Sequence, residues 1–141
     1  MEVAALVAWV ITALGGFILL GTWISRGGTR QRDAGASRFP PGLIFGHFLL
    51  AATGLVLWIV YLAADSAALA WVCFAILVVV ALLGFTMAAR WLQDRRAPVA
   101  AGGQASARPP EQHFPVPVVV LHGLLAATTL VLVLLAALGA S

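Results

Sequence analysis

The sequence predicts an all-α integral membrane protein, a four-helix bundle built from two tandem duplicated helical hairpins. Three observations lead to this prediction. Hydrophobic residues make up 62% of the 141-residue chain and charged residues only 9%, whereas soluble domains carry roughly 25% charged residues. The apolar residues are concentrated in four long stretches. An eleven-residue phrase that opens with a histidine occurs twice, as HFLLAATGLVL from His47 and as HGLLAATTLVL from His122.

The four apolar stretches predict helices at about residues 3–25, 43–64, 67–91 and 116–139. About 20 residues, rising 1.5 Å each, span a hydrocarbon core of about 30 Å, so each stretch is long enough to cross a bilayer. The longer connections, residues 26–42 and 92–115, are predicted to be loops. Because the helices use most of the chain, residues 1–141 are expected to form a single membrane domain.

The charge pattern predicts how the chain is oriented. All eight basic residues are arginines, and all of them lie in or beside the loops 26–42 and 92–115. Loops rich in arginine stay in the cytoplasm, so we expect a multi-pass protein of the inner (plasma) membrane with both termini outside. The net charge of +3 therefore reflects membrane topology. The lipid bilayer is the expected partner, and no nucleic-acid partner is predicted.

The two copies of the phrase belong to a longer repeat. A shift of 75 positions places residues 39–63 on residues 114–138 with 11 identities in 25, including a Phe-Pro pair, the histidine and a threonine. A weaker match at a shift of 63 relates the first and third helices and pairs Gly21 with Gly84. The repeated unit is thus predicted to be a helical hairpin, and two hairpins in one orientation imply a pseudo-two-fold axis along the membrane normal.

The repeat predicts that His47 and His122 lie at one depth, near the cytoplasmic side, because their helices run in the same direction. Ionisable residues inside a membrane usually face the interior of the bundle. The face of His47 continues to Gly54, and the face of His122 continues to Thr129. Small residues on these faces are expected to leave room beside each histidine.

Glycines and arginines complete the predicted site. Gly21 lies five residues from Arg26, and Gly84 lies six residues from Arg90, so both glycines are expected at the depth of the histidines. Two histidines and two glycines in one layer would give clearance for a flat macrocycle. Arg26, Arg38 and Arg90 lie at the membrane face nearest the histidines, where guanidinium groups could bind the propionates of a haem.

The distance between the two histidine helices decides what the site can hold. Neighbouring helices pack 8–10 Å apart, and diagonal helices lie about 12–14 Å apart. Across a diagonal, two imidazoles could each place a nitrogen about 2 Å from a central iron. On adjacent helices the rings would be too close for a macrocycle, which favours a bare metal ion or a direct contact between histidines. The sequence leaves both arrangements open.

With two membrane histidines, the glycines around them and a basic edge, the chain resembles the small membrane b-type cytochromes, four-helix bundles in which transmembrane histidines ligate haem b. The resemblance implies one b-type haem held by His47 and His122 and electron transfer to or from redox partner proteins. Those families often hold two haems on four histidines at two sides of the membrane. With two histidines at one depth, this chain is expected to hold at most one. Small copper-handling four-helix membrane proteins are also similar.

Two alternatives remain open at this stage. The histidines could bind a transition metal such as Cu or Zn, although two imidazoles underfill a tetrahedral ion. They could also bond each other, a carbonyl or a partner in a cofactor-free accessory or assembly subunit. No membrane-embedded acid is paired with a base, so we expect an electron carrier or accessory protein and no hydrolase or transferase. Redox partner proteins or further copies of this chain are the expected protein partners. The single cysteine, Cys73, excludes an internal disulfide.

Overall fold

The computed structural model describes residues 1–30, 37–96 and 108–139, and within these ranges the chain forms four long α-helices and no strand. The helices are α1 (Glu2–Ser25), α2 (Pro41–Ala64), α3 (Ala67–Arg96) and α4 (Val116–Ala137), and a 3₁₀ turn, Pro110–His113, precedes α4. Each helix is long and apolar enough to cross a membrane. The predicted all-α fold with four such helices is confirmed.

The helix boundaries follow from local chemistry. Prolines precede or open α2 and α4, as expected where the first N–H groups of a helix have no partner. At the end of α2, Asp65 adopts a left-handed conformation with φ 48° and donates its N–H to Tyr61 O at 2.9 Å. α3 continues to Arg96, beyond the predicted end at residue 91, because helix formers such as leucine, glutamine and arginine extend it past the apolar stretch.

The four helices are arranged as a square in which α2 and α4 are diagonal. α1 packs against α4 and α2, and α3 packs against α2 and α4. In the described ranges no close backbone approach joins α2 to α4 or α1 to α3. Contacts are densest between α1 and α4 and sparsest between α1 and α2. The structure therefore places the two histidine helices across a diagonal, the arrangement that the sequence had left open.

Buried side chains form two clusters along the bundle axis. We call the end with the arginines the loop end and the opposite end the Asp65 end. The cluster nearer the Asp65 end is built around the buried side chains of Trp9, Trp58, Tyr61, Cys73 and Val133. The loop-end cluster consists of Trp23, Phe39, Ile44 and Trp91, packed against Leu20, Met87, Phe114 and Val119.

A polar network fastens the loop end. Glu111 is fully buried, and its carboxylate accepts hydrogen bonds from Ser37 Oγ and Arg38 N, both at 2.8 Å. The indole of Trp23 donates to Ser37 Oγ at 2.8 Å, and the indole of Trp91 donates to the backbone oxygen of Glu111 at 3.1 Å. The segments before α2 and α4 are thereby tied to α1 and α3. The sequence suggested only that Glu111 lies in a loop.

The Asp65 end has a smaller polar contact. Tyr61 donates its hydroxyl to the carboxylate of Glu2, and the indole of Trp58 donates to the backbone oxygen of Glu2 at 3.3 Å. These bonds tie the first turn of α1 to the last turns of α2. Both ends of the bundle therefore hold the helices together through buried aromatic donors.

Gly54 packs against a tryptophan and does not leave the free space expected on the face of His47. A Cβ at this position would lie 2.9 Å from the ring of Trp9 and 3.2 Å from Ile76. The expectation failed because α1 brings a large side chain into the gap, and the spacing within α2 does not reveal a residue on another helix. Gly54 thus serves the packing of α1 against α2 and α3.

We predict that Gly54→Ala destabilises the bundle by about 1–3 kcal/mol, because the added methyl overpacks the site of Trp9. The matched control is Gly46→Ala on the same helix, where a Cβ meets nothing within 4 Å; it should be neutral or stabilising, since alanine forms helices better than glycine by about 1 kcal/mol. Equilibrium unfolding in detergent micelles measures both. Equal stability of the two variants would contradict the packing of Trp9.

Candidate functional site

His47 and His122 meet inside the bundle. Their ring centroids are 6.3 Å apart, and their planes are inclined by 57°. Both side chains are half-buried, and they come from the diagonal helices α2 and α4. The structure therefore brings together the two histidines that the repeat had singled out.

Each imidazole also bonds the backbone of a helix in the other hairpin. His47 Nδ1 lies 3.0 Å from Val80 O on α3, and His122 Nδ1 lies 2.9 Å from Thr12 O on α1. A carbonyl oxygen can only accept a hydrogen bond, so each Nδ1 carries the proton and donates it. In the neutral ring Nε2 is then unprotonated and retains a lone pair. The pair thus offers two nitrogen atoms that can act as ligands.

Glycines lie directly beside both rings. A Cβ at Gly84 would be 3.3 Å from His47 Cε1, and a Cβ at Gly16 would be 3.2 Å from His122 Cε1. A Cβ at Gly15 would be 3.5 Å from His122 Nδ1. The clearance that these glycines provide is used by the imidazole rings themselves.

Gly21 is not part of this layer, although the sequence predicted it there. A Cβ at Gly21 would meet nothing within 4 Å, and Gly16 occupies the place beside His122. The five-residue difference corresponds to about 7.5 Å along a helix. The prediction measured the depth of each glycine in the membrane from the nearest arginine, Arg26 or Arg90. However, α3 continues past Arg90, whereas α1 ends at Ser25. The first arginine is therefore not an equivalent reference point in the two helices.

Thr129 lies between α4 and α1, close to the carbonyl that binds His122. It is 1% exposed, its hydroxyl donates to Leu125 O at 2.8 Å, and its Oγ is 3.4 Å from Thr12 Oγ. The hydroxyl of Thr12 donates to Ala8 O at 2.8 Å. Thr129 thus fills the interface beside the acceptor residue of His122 and does not border an open space.

The three arginines predicted to bind propionates lie apart from the histidines. Arg38 forms an ion pair with Asp94, and Arg90 donates to the backbone oxygen of Arg38 at 3.4 Å. These residues and Gln93 line a shallow cleft of about 220 Å³, whereas Arg26 lines a separate cleft. All three arginines are exposed. Their binding of propionates stays a prediction.

The donor set around the histidines is limited to the two rings. Within the described ranges, no group of three or more His, Cys, Asp or Glu side chains is placed to hold a metal ion. Cys73 belongs to the cluster around Trp9, where its Sγ contacts Gly54 O at 3.8 Å. A tetrahedral zinc site, which needs four ligands, has only two candidate protein ligands in this layer.

The sequence did not identify the partners of the histidines. In the sequence, Thr12, Gly15 and Gly16 are small residues of the first apolar stretch, and Val80 ends a run of three valines, and neither feature points to a histidine. The signal that could have found them is a glycine on the helix that faces a buried histidine, because the carbonyl four residues before that glycine can accept a bond from the imidazole. That signal requires knowing which helices are neighbours.

Comparison with known protein families, with curated proteins and with solved structures gives no match to this chain. The geometry of the histidine layer is therefore the evidence on which a function can be based.

We predict that Thr129→Val destabilises the bundle by about 0.5–1.5 kcal/mol, because a buried hydroxyl between two helices loses its hydrogen bonds. The neighbouring Thr128 is the matched control: its hydroxyl also donates one turn back, to Leu124 O at 3.0 Å, but it is exposed. Thr128→Val should change stability by less than about 0.5 kcal/mol. Equilibrium unfolding in micelles measures the difference, and equal effects would contradict the role of Thr129 at the interface.

Proposed function

We propose that this protein binds one b-type haem through Nε2 of His47 and Nε2 of His122 and passes single electrons to or from a redox partner. The separation of the two rings carries the proposal. Two imidazoles on opposite sides of one iron have nitrogens about 2 Å from the metal and ring centres about 1 Å further out, so their centres are about 6 Å apart. The measured separation is 6.3 Å.

The hydrogen bonds that the two imidazole rings make support the same proposal. Histidines that ligate a metal usually donate their other ring N–H to a carbonyl or carboxylate, which fixes the tautomer and raises the basicity of the ligand nitrogen. His47 and His122 both make such a bond to a backbone carbonyl. The donor chemistry of the layer thus fits bis-histidine ligation before any cofactor is bound.

The surroundings of the layer would supply a low-dielectric site. When bound, haem supplies one-electron redox chemistry. The histidines lie between the cluster around Trp9 and the loop-end cluster, and the apolar side chains of both clusters favour a low dielectric around the pair. His47 and His122 would hold the haem, and its reduction potential would depend on these two ligands and on the burial of the site.

Room for the macrocycle would come from the interface between α1 and α2. The imidazole rings already occupy the clearance that Gly16 and Gly84 provide, so the helices around the histidine layer must part to admit a macrocycle. α1 and α2 make the sparsest contact in the bundle. An edge-to-face aromatic pair, Phe17 with Phe48 at 5.7 Å, lies in their interface, and the exposed ring of Phe17 can rotate aside.

A second candidate is a cofactor-free accessory or assembly subunit. One observation favours it: the N–H of each imidazole already has an acceptor, Val80 O or Thr12 O, so both histidines can serve only to join helices. Hydrogen bonds between membrane helices contribute about 0.6 kcal/mol on average. In this case His47 would join α2 to α3, and His122 would join α4 to α1.

We further propose that the two hairpins arose by tandem duplication. His47 of the first hairpin bonds the second, and His122 of the second bonds the first. The acceptors Thr12 and Val80 are 68 positions apart, as are the glycines Gly16 and Gly84. This offset replaces the shift of 63 suggested by the sequence as the relation between α1 and α3, and it supports a pseudo-two-fold axis through the histidine layer.

The haem proposal predicts the optical spectrum of the full chain purified from haem-replete cells. We expect a Soret band that shifts on reduction, with one haem per chain. His47→Ala and His122→Ala should each abolish the band, because each removes one axial ligand. His113→Ala is the control, since His113 lies in the 3₁₀ turn before α4, and its spectrum should match the wild type.

Three results would contradict this proposal. A colourless protein that also fails to bind added haem favours the accessory role. Stoichiometric copper or zinc in place of haem, lost in His47→Ala, favours the metal site. A band that survives both histidine substitutions places the ligands elsewhere.

We propose a location in the inner (plasma) membrane with both termini outside, because Arg26, Arg38 and Arg90 share the loop end. Labelling of intact cells with a membrane-impermeant maleimide tests this. Ala67→Cys at the Asp65 end should react, whereas Thr29→Cys at the loop end should react only after permeabilisation. The native Cys73 is buried and should stay unlabelled. The reverse pattern would show the opposite orientation.

A further inference from the structure

A backbone carbonyl inside an α-helix is normally covered. It accepts the N–H of the residue four positions later, and the side chains of that turn lean back over it, because Cα–Cβ bonds tilt toward the helix N-terminus. A side chain from another helix can reach such a carbonyl only where this cover is missing. Both histidine acceptors meet that condition: Val80 is followed four residues later by Gly84, and Thr12 by Gly16.

We infer that Gly16 and Gly84 are positioning residues for the two histidines. Each leaves one backbone carbonyl uncovered, so that one imidazole is held as its Nδ1–H tautomer with Nε2 free to act as a ligand. Nothing in this arrangement requires a cofactor. Only the use of the free Nε2 as an iron ligand rests on the proposed haem function.

The distances show how closely the glycines fit the rings. A Cβ at Gly16 or Gly84 would approach Cε1 of the neighbouring imidazole to 3.2 Å or 3.3 Å, which is tighter than most Cβ contacts and requires the ring to give way by a few tenths of an ångström. The next ring atom from each Cβ is Nδ1, at 3.8 Å in both cases. An added methyl therefore acts on the edge of the ring that makes the hydrogen bond.

Other glycines near the histidines lack this property. Gly46 precedes His47 and Gly123 follows His122, yet a Cβ at either would meet nothing within 4 Å. A Cβ at Gly15 would lie 3.5 Å from His122 Nδ1 and 3.6 Å from His122 Cβ, which are ordinary van der Waals distances that the ring can accept without moving. Among the glycines that the structure describes, an added Cβ therefore presses on a histidine ring only at Gly16 and Gly84, one glycine for each histidine.

The experiment uses the full chain in detergent micelles, free of haem, with ¹⁵N-labelled histidine. Nuclear magnetic resonance of the ring nitrogens reports which nitrogen carries the proton. In the wild type His47 and His122 should both show Nδ1–H. Gly84→Ala should reduce the Nδ1–H population of His47 only, and Gly16→Ala that of His122 only. His113 provides an internal reference that should not change.

The controls are Gly46→Ala and Gly123→Ala, which should leave all three histidines as in the wild type. Alanine favours helix over glycine, and circular dichroism checks that each variant keeps its helices. The inference is overturned if the wild-type rings carry the proton on Nε2, or if the Gly16 and Gly84 variants match the controls. Because each variant should affect one named ring, general loosening of the bundle would not reproduce the expected result.

Titration with haem separates this inference from the proposed function. Gly16→Ala and Gly84→Ala should bind haem about 10- to 100-fold more weakly, the usual effect of losing a bond that orients a ligand histidine, and the controls should match the wild type. If the wild type binds no haem but the tautomers behave as expected, the haem function fails and the positioning role stands. If the wild type binds haem and both glycine variants bind it equally well, the positioning role fails.

Discussion

The bonds from His47 and His122 to backbone carbonyls are the interaction on which the interior of this bundle depends. A polar N–H buried among apolar side chains destabilises the fold unless it finds an acceptor. Each ring finds that acceptor in a backbone carbonyl, Val80 O or Thr12 O. To reach it, α2 must pack against α3, and α4 must pack against α1. Satisfying the two imidazoles thus requires one close neighbour for each histidine helix, α3 for α2 and α1 for α4, and the two rings lie 6.3 Å apart across the diagonal.

A polar network lies at each end of the bundle, on either side of this layer. At the loop end the buried carboxylate of Glu111 connects the segments before α2 and α4, while indoles on α1 and α3 donate into the same network. At the Asp65 end Tyr61 and Trp58 bind the first turn of α1 through Glu2. The polar groups of both networks lie at the ends of the helices, and the histidines lie between them among apolar residues. A bound cofactor would therefore be held away from water.

The two halves of the site are alike at the histidines and differ one layer away. Gly54 and Thr129 occupy equivalent positions of the repeated phrase, 75 residues apart. Gly54 receives the ring of Trp9, whereas Thr129 approaches the hydroxyl of Thr12. Both positions had been expected to leave space beside a histidine, and both are filled, by different means. Neither half of the bundle thus leaves open space at the position that follows the histidine by seven residues.

The sequence by itself determined the four helices, the inward position of both histidines and the collection of arginines at one end. These properties are local, because a run of apolar residues or an arginine-rich loop carries its physical consequence within its own segment. Only the tertiary structure decided that α2 and α4 are diagonal, that Gly16 and not Gly21 adjoins His122, and that Glu111 is buried. The depth of a residue in one helix relative to a residue in another depends on how far the two helices slide along each other as their side chains pack. Counting residues along a single helix cannot reveal this offset between two helices.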